Sequence, residues 1–249
     1  MNQGGNAISC LHADYKLLPC HGTRLSCAHH RKRPFCTCQE RYMQLSRISG
    51  ALAAPDDFDA VFGIYESALP AAERKTRAEL ATLLERNDYA VIAARRGKQV
   101  VGFSVIFLPD QNTFSLLEYL ATRQGCRGQG IGQALFEHAL ELSHGRTLLI
   151  EVEAECGPEA ERRLQRRRKR YYERLGCLTF ESVSYKMPQL NSESPPALDL
   201  MYHPNGMDTS ISKDMMRTWI TRIYSGVYNR QIREPTMEAM LQDWPANQG

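Results

Sequence analysis

The chain has 249 residues, of which 43% are hydrophobic and 24% charged, which is typical of a protein with one substantial core rather than of a disordered or fibrous chain. No run approaches the roughly 18 apolar residues that a membrane-spanning helix needs, and no apolar signal-peptide core is present, so we expect a cytoplasmic protein without membrane contact. The net charge of +3 conceals a basic run, Arg162–Arg170, in which seven of nine residues are Lys or Arg.

The first 42 residues differ in composition, because they hold five of the eight cysteines and four of the seven histidines. No apolar period runs through them, which predicts an irregular or weakly ordered segment. One interpretation is a zinc site drawn from Cys20, Cys27, His29, His30, Cys36 and Cys38. However, structural zinc sites usually show paired C-x(2–4)-C knuckles, and this segment has a single tight pair. A disordered tail and a true start at Met43 are the other interpretations, and we predict no metal site.

From Met43 the hydrophobic pattern becomes regular and predicts one α/β domain over residues 43–204. It begins with a strand near 43–49, a helix that opens at Pro55, and a second helix from Pro70 to about Asn87. Three strands follow and form an antiparallel meander, at roughly 89–95, 99–108 and 113–122.

A glycine-rich segment then leads into a helix from about Gly130 to His144, and a strand follows at Thr147–Val152. A charged helix is predicted over about 159–175, with Leu164, Tyr171 and Leu175 as its core-facing stripe.

Two further strands are predicted near 177–187 and 197–203. Residues 205–249 are predicted to form a helical C-terminal extension that starts near Asp208. Its apolar face is expected to pack on the sheet or on a second subunit, so a homodimer is one expectation.

The segment LLEYLATRQGCRGQGIGQAL, residues 116–135, places four glycines where a strand gives way to an amphipathic helix. Glycines let the backbone approach a bound group, and the free N–H groups and dipole of the first helical turn favour an anion. A phosphate group is therefore the expected ligand. The segment lacks the Gly-Lys-Ser/Thr ending of a P-loop, and its position after three antiparallel strands does not suit a dinucleotide fold.

Two motifs carry a resemblance to a known family. RGQGIG at Arg127–Gly132 is similar to the R/Q-x-x-G-x-G/A signature of the GNAT superfamily of acyl-CoA-dependent N-acyltransferases. YYERLGC at Tyr171–Cys177 resembles the helix-ending Y-E-K-L-G-F segment of that family, about 40 residues downstream. The resemblance covers roughly residues 43–188. It implies a GNAT-like α/β fold, with a mixed, mostly antiparallel central sheet flanked by helices, and acetyl-CoA as cosubstrate.

The resemblance also implies roles for individual residues. Backbone amides of Arg127, Gly128, Gln129, Gly130, Ile131 and Gly132 would hold the CoA pyrophosphate. Leu120 and Thr122 would pair with the pantetheine arm in a splay between two strands. Tyr172 matches the tyrosine that protonates the leaving thiolate, with Tyr171 as the alternative. Gln165 and Arg168 stand where the family commonly has Asn and Ala, and they are the remaining predicted cofactor contacts.

Glu118 is the predicted base, because it is a carboxylate inside an otherwise apolar strand, where burial favours the protonated form and lets it accept a proton. The alternative is that Glu118 is exposed or engaged in an ion pair. Glu151 and Glu153 share one face of their strand and are reserve candidates.

These observations predict an N-acetyltransferase that transfers the acetyl group of acetyl-CoA to a primary amine of a small molecule or peptide, by direct attack in a ternary complex. One alternative is a non-catalytic acyl-CoA-binding regulatory module. Another is an acyltransferase that acts on an RNA-linked or tRNA-linked amine. Basic helical runs are usually solvated faces, and no aromatic residues interleave with this one, so the sequence argues against nucleic-acid binding.

Overall fold

The computed structural model describes residues 16–18, 43–51, 54–69, 74–110, 114–189, 195–206 and 210–245. The strands are β1 (Lys16–Leu18), β2 (Met43–Arg47), β3 (Tyr89–Arg96), β4 (Gln99–Phe107), β5 (Phe114–Thr122), β6 (Thr147–Glu153), β7 (Leu178–Thr179) and β8 (Leu198–His203). The α-helices are α1 (Pro55–Ala68), α2 (Arg77–Leu84), α3 (Ile131–Leu142), α4 (Glu159–Arg174), α5 (Lys213–Gly226) and α6 (Glu234–Met240).

The described strands form one sheet in the order β1-β2-β3-β4-β5-β6-β8-β7. Every neighbouring pair is antiparallel except β5 and β6, because α3 returns the chain to the other end of the sheet before β6 begins. The predicted fold class, a mixed and mostly antiparallel sheet flanked by helices, is confirmed.

The core consists of two apolar layers, one on each face of the sheet. Along β3 successive side chains alternate, so that Val91 joins the layer under α1, α2 and α5, whereas Ile92 joins the layer under α3. On the second face α3 approaches β4 closely at Gly102. A Cβ atom at Gly102 would lie 2.9 Å from Ile131 Cγ2 and 3.0 Å from the Ala121 carbonyl oxygen.

The C-terminal extension packs on the first face of the sheet through α5. The Trp219 ring lies against the Phe114 ring, with 5.6 Å between the ring centroids. α5 begins later than the predicted Asp208, because the Ser212 side chain accepts a hydrogen bond from the Met215 amide and so caps the helix. This packing confirms the first of the two surfaces predicted for the helix, which is the sheet of its own chain.

The predicted strand over 177–187 is wrong beyond Thr179. The Phe180 amide still donates to the Leu200 carbonyl oxygen of β8 at 3.0 Å, but the backbone hydrogen bonds of Val183 and Ser184 lie outside the sheet. The Ser184 amide donates to the Met240 carbonyl oxygen at 2.9 Å, and the Val183 amide donates to the Phe180 carbonyl oxygen at 3.2 Å.

Two smaller predictions also need correction. α2 starts at Arg77 rather than after Pro70, because Thr76 and Glu79 form a capping box that fixes the first turn. Leu164 is not a core residue, since it is 59% exposed. The buried residues of α4 are Gln165 and Tyr172.

Within the first 42 residues the structure describes Lys16–Leu18, which pair with β2 in antiparallel register. The cysteines and histidines considered as zinc ligands lie outside the described residues. In the part of the chain that is described, no helix has the length and apolar character needed to cross a membrane.

Candidate functional site

The site begins where β5 and β6 separate. Their parallel pairing runs from Phe114 with Thr147 to Leu117 with Ile150 and then stops. β6 continues beyond that point and pairs with β8 on its other side, while residues 119–122 of β5 pair with β4 on theirs. Alternate residues of this half of β5 therefore direct N–H and C=O groups into a gap between the two strands.

A β-bulge in β5 places Glu118 beside this gap. Tyr119 pairs with Val105 and Leu117 pairs with Ile106, so Glu118 is the extra residue in the register. A bulge re-aims the side chain that it carries. The Glu118 carboxylate accepts a hydrogen bond from the Tyr89 hydroxyl at 2.9 Å.

Glu118 also forms a buried ion pair with Lys75, with 2.8 Å between Lys75 Nζ and Glu118 Oε1. The two side chains are 17% and 4% exposed. Burial lowers the pKa of Lys75, but the charge of Glu118 and its hydrogen bond outweigh that effect, so that the pKa is raised overall. The backbone N–H of Lys75 donates to the Tyr65 hydroxyl at 2.7 Å, which fixes the segment before α2. Glu118 is therefore buried in an ion pair rather than exposed, and its role as the base stays a prediction.

Glu151, in β6, is the second carboxylate at the gap. The Tyr228 hydroxyl donates to its Oε2 at 2.6 Å, and the Tyr185 hydroxyl donates to its Oε1. Burial raises the pKa of Glu151, while the two phenol hydrogen bonds oppose the increase. Tyr228 lies just beyond α5, so the C-terminal extension contributes a side chain to the site.

The glycine-rich turn follows β5 through a 3₁₀ turn, Gln124–Cys126. Gly128 and Gly130 have φ values of +75° and +78°, a conformation that favours glycine. Gly130 is the N-cap of α3, and the first backbone bond of the helix runs from the Ala134 amide to the Gly130 carbonyl. Among the described residues no backbone acceptor takes the N–H groups that precede Ala134 in the turn, residues 127–133. Those amides are the ones suited to hold a phosphate group.

Side chains fix the turn from both sides. Ile131 is buried against Gly102, and the Gln129 amide oxygen accepts a hydrogen bond from Arg96 at 2.5 Å. Tyr171 packs over Gly132, where an added Cβ atom would lie 2.8 Å from the Tyr171 hydroxyl oxygen. That hydroxyl is buried without a hydrogen-bond partner among the described residues, and burial raises the pKa of Tyr171 to about 12.

Tyr172 projects from α4 into the cleft that the separated strands form. Its ring packs against Phe136 with 6.0 Å between centroids. Burial raises the pKa of Tyr172 well above its usual value, so the phenol keeps its proton at neutral pH. The structure therefore separates the two tyrosines, since Tyr172 lines the cleft and Tyr171 contacts the turn.

The cleft has a volume of about 640 Å³ and brings together four of the predicted site residues, which are Glu118, Leu120, Arg168 and Tyr172. Thr122 lies at the end of the same strand, opposite Gly102. The cleft also contains residues that the sequence analysis did not select, among them Lys75, Tyr119, Leu198, Val227, Tyr228, Asn229 and Arg230. The sequence contains no clear signal for these residues, because a tyrosine or lysine outside a motif has no fixed spacing from the glycine turn.

The two predicted cofactor contacts on α4 have protein partners. The Gln165 amide oxygen accepts a hydrogen bond from the Cys156 backbone N–H at 2.9 Å, which leaves its NH₂ group for another partner. Arg168 forms an ion pair with Glu153 at 2.6 Å. Three more basic residues of this helix, Arg162, Arg166 and Lys169, also form ion pairs with acidic groups, so a large part of the basic run is neutralised within the chain.

No group of three or more His, Cys, Asp or Glu side chains suited to a metal ion occurs among the residues that the structure describes. The three described cysteines are free thiols, and none lines the cleft. Burial raises the pKa of the Cys177 thiol to about 12, which disfavours a thiolate there.

Comparisons with known proteins agree with this geometry. Residues 87–176 match the family model described as an acetyltransferase (GNAT) domain. A search of curated protein sequences finds no match. A solved structure assigned to the GNAT family of acetyltransferases, from Bacteroides thetaiotaomicron, superposes with a TM-score of 0.62 at 19% identity, over 75% of this chain and 99% of that chain. At that identity the likeness establishes the fold.

Two further solved structures match this chain over nearly all of their own length, with lower TM-scores. The ribosomal-protein-S18-alanine N-acetyltransferase from Escherichia coli has a TM-score of 0.47 at 19% identity, over 67% of this chain and 96% of that chain. NAA60 from Arabidopsis thaliana, solved in complex with acetyl-CoA, has a TM-score of 0.48 at 15% identity, over 65% and 97%. The family match and the fold agree: residues 87–176 are similar to a GNAT acetyltransferase domain, and the sheet around them has the fold of a GNAT-family structure.

Proposed function

We propose that this chain is an acetyl-CoA-dependent N-acetyltransferase that transfers the acetyl group to a primary amine of a small molecule or peptide. The observation that carries the proposal is the separation of β5 and β6 directly before a helix entrance with free amides. Such an arrangement offers backbone partners to an amide-containing arm and an anion site to a diphosphate at its end.

The backbone amides of residues 127–132 are suited to the CoA pyrophosphate, and Leu120 and Thr122 to the pantetheine arm. Gln165 could donate its free NH₂ group, whereas Arg168 would have to exchange Glu153 for a phosphate. A bound acetyl-CoA supplies the acyl group as a thioester. The residues of the chain then have to orient it, exclude water and move two protons.

Tyr172 is our proposed proton donor to the departing sulfur. It lines the cleft, and its phenol carries a proton at neutral pH, so a proton is available beside the site. Glu118 is our proposed proton acceptor for the attacking amine, directly or through a water molecule. Lys75 holds the Glu118 carboxylate at the bulge, so that the base has a fixed position.

The positions of the described cysteines support transfer by direct attack of the amine. A covalent route through a cysteine thioester needs a reactive thiol at the site, and the described cysteines lie away from the cleft.

A second candidate function is an acyl-CoA-binding regulatory module without catalysis. The observation in its favour is the ion pair itself, because the Lys75 ammonium neutralises the carboxylate that would serve as base. Both candidates bind acetyl-CoA, and they differ in turnover.

Isothermal titration of the folded protein with acetyl-CoA tests what the two candidates share. We expect saturable binding at one site per chain, and a folded sample that releases no binding heat would remove both. Release of free thiol in the presence of a panel of primary amines then separates them. Turnover with any amine supports the enzyme, and binding without turnover across the panel supports the regulatory module.

A further inference from the structure

We infer that Glu151 binds the cationic amino group of the acceptor and that Tyr228, from the C-terminal extension, is the residue that positions Glu151 for this role. The inference rests on the proposed function for the identity of the bound group as an acceptor. The site itself follows from the contacts of Glu151 alone.

The carboxylates that line the cleft differ in their ion-pair and hydrogen-bond partners. Glu118 is paired with Lys75, and Glu153 is paired with Arg168. Glu79 accepts hydrogen bonds from the backbone N–H and the hydroxyl of Thr76, at 2.7 and 2.8 Å, as part of the capping box of α2. Those three carboxylates already have the partners that a charged oxygen needs.

Glu151 differs from them because its hydrogen-bond donors are two neutral phenols. Within the described part of the chain no cation forms an ion pair with it. Tyr185 binds one carboxylate oxygen and Tyr228 binds the other, so the carboxyl group has a fixed orientation. Each carboxylate oxygen can accept a second hydrogen bond, which leaves capacity for an ammonium group.

Of the charged side chains that line the cleft, Glu118 and Lys75 act on the pKa of Glu151, whereas the other cations of the lining are Arg74, Arg86, Arg168 and Arg230. Burial is the largest influence on the pKa of Glu151 and raises it. The charge of Glu118, on the neighbouring strand, also raises this pKa, whereas the charge of Lys75 lowers it by less than burial raises it. When both carboxylates are ionised, these three side chains carry two negative charges and one positive charge. A buried carboxylate without a cationic partner is costly, and an ammonium group that enters the cleft would supply that partner.

The C-terminal extension holds Tyr228 rigidly. α5 is anchored on the sheet by Trp219, and its last residue, Gly226, lies against the Phe107 ring so closely that a Cβ atom would collide with it. The Tyr228 hydroxyl then reaches Glu151 over a separation of 77 residues. This extension therefore contributes side chains to the cleft, whereas the residues of the glycine turn do not line it.

The test uses the full chain and n-butylammonium chloride as the probe. Sodium chloride at the same concentration controls for the effect of salt, and 1-butanol controls for the effect of an uncharged molecule of similar shape. A ligand that binds the folded state raises the melting temperature. We expect n-butylammonium to raise the Tm of the wild-type chain at pH 8 by about 2–4 °C beyond sodium chloride, if present at several times its dissociation constant. Glu151→Gln should lose this increase, and 1-butanol should not reproduce it.

The positioning role has its own readout, which is the pH dependence of the n-butylammonium effect. The Tyr228 hydrogen bond stabilises the charged carboxylate, so Tyr228→Phe should raise the pKa of Glu151 and shift the onset of the Tm increase to higher pH. Tyr224→Phe is the matched control, because its hydroxyl donates to the Lys186 carbonyl oxygen and not to Glu151.

Two results would overturn the inference. One is an n-butylammonium effect of equal size in the wild type and in Glu151→Gln. The other is a Tyr228→Phe pH profile that coincides with those of Tyr224→Phe and the wild type. Acetyl-CoA titration is measured separately, so a chain that binds n-butylammonium through Glu151 but ignores acetyl-CoA would refute the proposed function and leave this site standing.

Discussion

Lys75 Nζ lies 2.8 Å from Glu118 Oε1, and this contact joins the segment before α2 to the bulge of β5 at the centre of the cleft. Both partners are largely buried, so each compensates a charge that would otherwise be costly in the interior. A charged contact, as well as apolar packing, thus stabilises the segments that form the cleft.

Removing the cation from this pair should destabilise the protein. Lys75→Met leaves the buried Glu118 carboxylate without its counter-ion, and we expect a loss of about 3 kcal/mol in the free energy of unfolding, measured by urea denaturation at pH 7. Lys75→Met combined with Glu118→Gln should recover most of that loss. If the double variant is no more stable than the single one, the ion pair does not account for the loss.

The same pair predicts a pH dependence. The pKa of Lys75 is raised in the folded state, so its contribution to stability is complete below the unfolded value of about 10.5 and is lost as the pH rises through the folded pKa. We expect the wild-type chain, compared with Lys75→Met, to lose stability in the alkaline range above that value. Equal slopes for the two proteins there would contradict the assignment.

Tyr172→Phe should separate catalysis from cofactor binding. The variant lacks the proposed proton donor, so we expect thiol release to fall by about 10²-fold or more, whereas acetyl-CoA affinity in isothermal titration stays close to that of the wild type.

Tyr171→Phe is the control for that variant. It removes a buried hydroxyl that has no hydrogen-bond partner among the described residues, and it should keep turnover and be as stable as the wild type or slightly more so. Equal turnover losses in the two variants would rule out the assignment of Tyr172.

The glycine turn offers a matched pair of substitutions. Gly130 has a φ of +78°, so Gly130→Ala strains the turn at the N-cap of α3, and we expect acetyl-CoA affinity to fall. Gly125→Ala lies in the same segment, with a negative φ and open space around the new Cβ, and should bind like the wild type. Weakening of equal size in both variants would mean that backbone conformation at Gly130 is not the cause.

A second glycine pair tests the packing of α3 on the sheet. Gly102→Ala places a Cβ 2.9 Å from Ile131 Cγ2, and such overpacking should cost about 1–3 kcal/mol in unfolding experiments. Gly63→Ala, in α1, meets no atom within 4 Å and should stabilise the chain by about 0.5–1 kcal/mol, because alanine favours a helix. Similar stabilities for the two variants would contradict the close approach of α3 to β4.

The sequence was sufficient to predict the meander, the glycine turn and α3, because their signals are local. Strand alternation, two turns and a run of glycines at a helix entrance lie within residues 89–144. The start of α2 could have been predicted as well, since Thr76 and Glu79 have the spacing of a capping box.

The contacts that complete the cleft could not be predicted in the same way. Tyr228 contacts Glu151, and Lys75 contacts Glu118, although the partners are far apart in the sequence. Hydrophobic periodicity is a local signal and does not indicate such contacts. The segment after Thr179 was predicted as a strand because its apolar residues alternate in part. Its backbone partner is the end of α6, which the local pattern does not contain.

The separation of β5 from β6 also has a consequence for the energetics of the whole domain. Half of a central strand has a neighbour on one side only, so the backbone of residues 118–122 forms fewer interstrand hydrogen bonds than the rest of β5. A cosubstrate that pairs with this edge would act as a replaceable strand. Binding of such a cosubstrate would then slow amide hydrogen exchange along residues 118–122 without changing the pairing of residues 114–117 with β6.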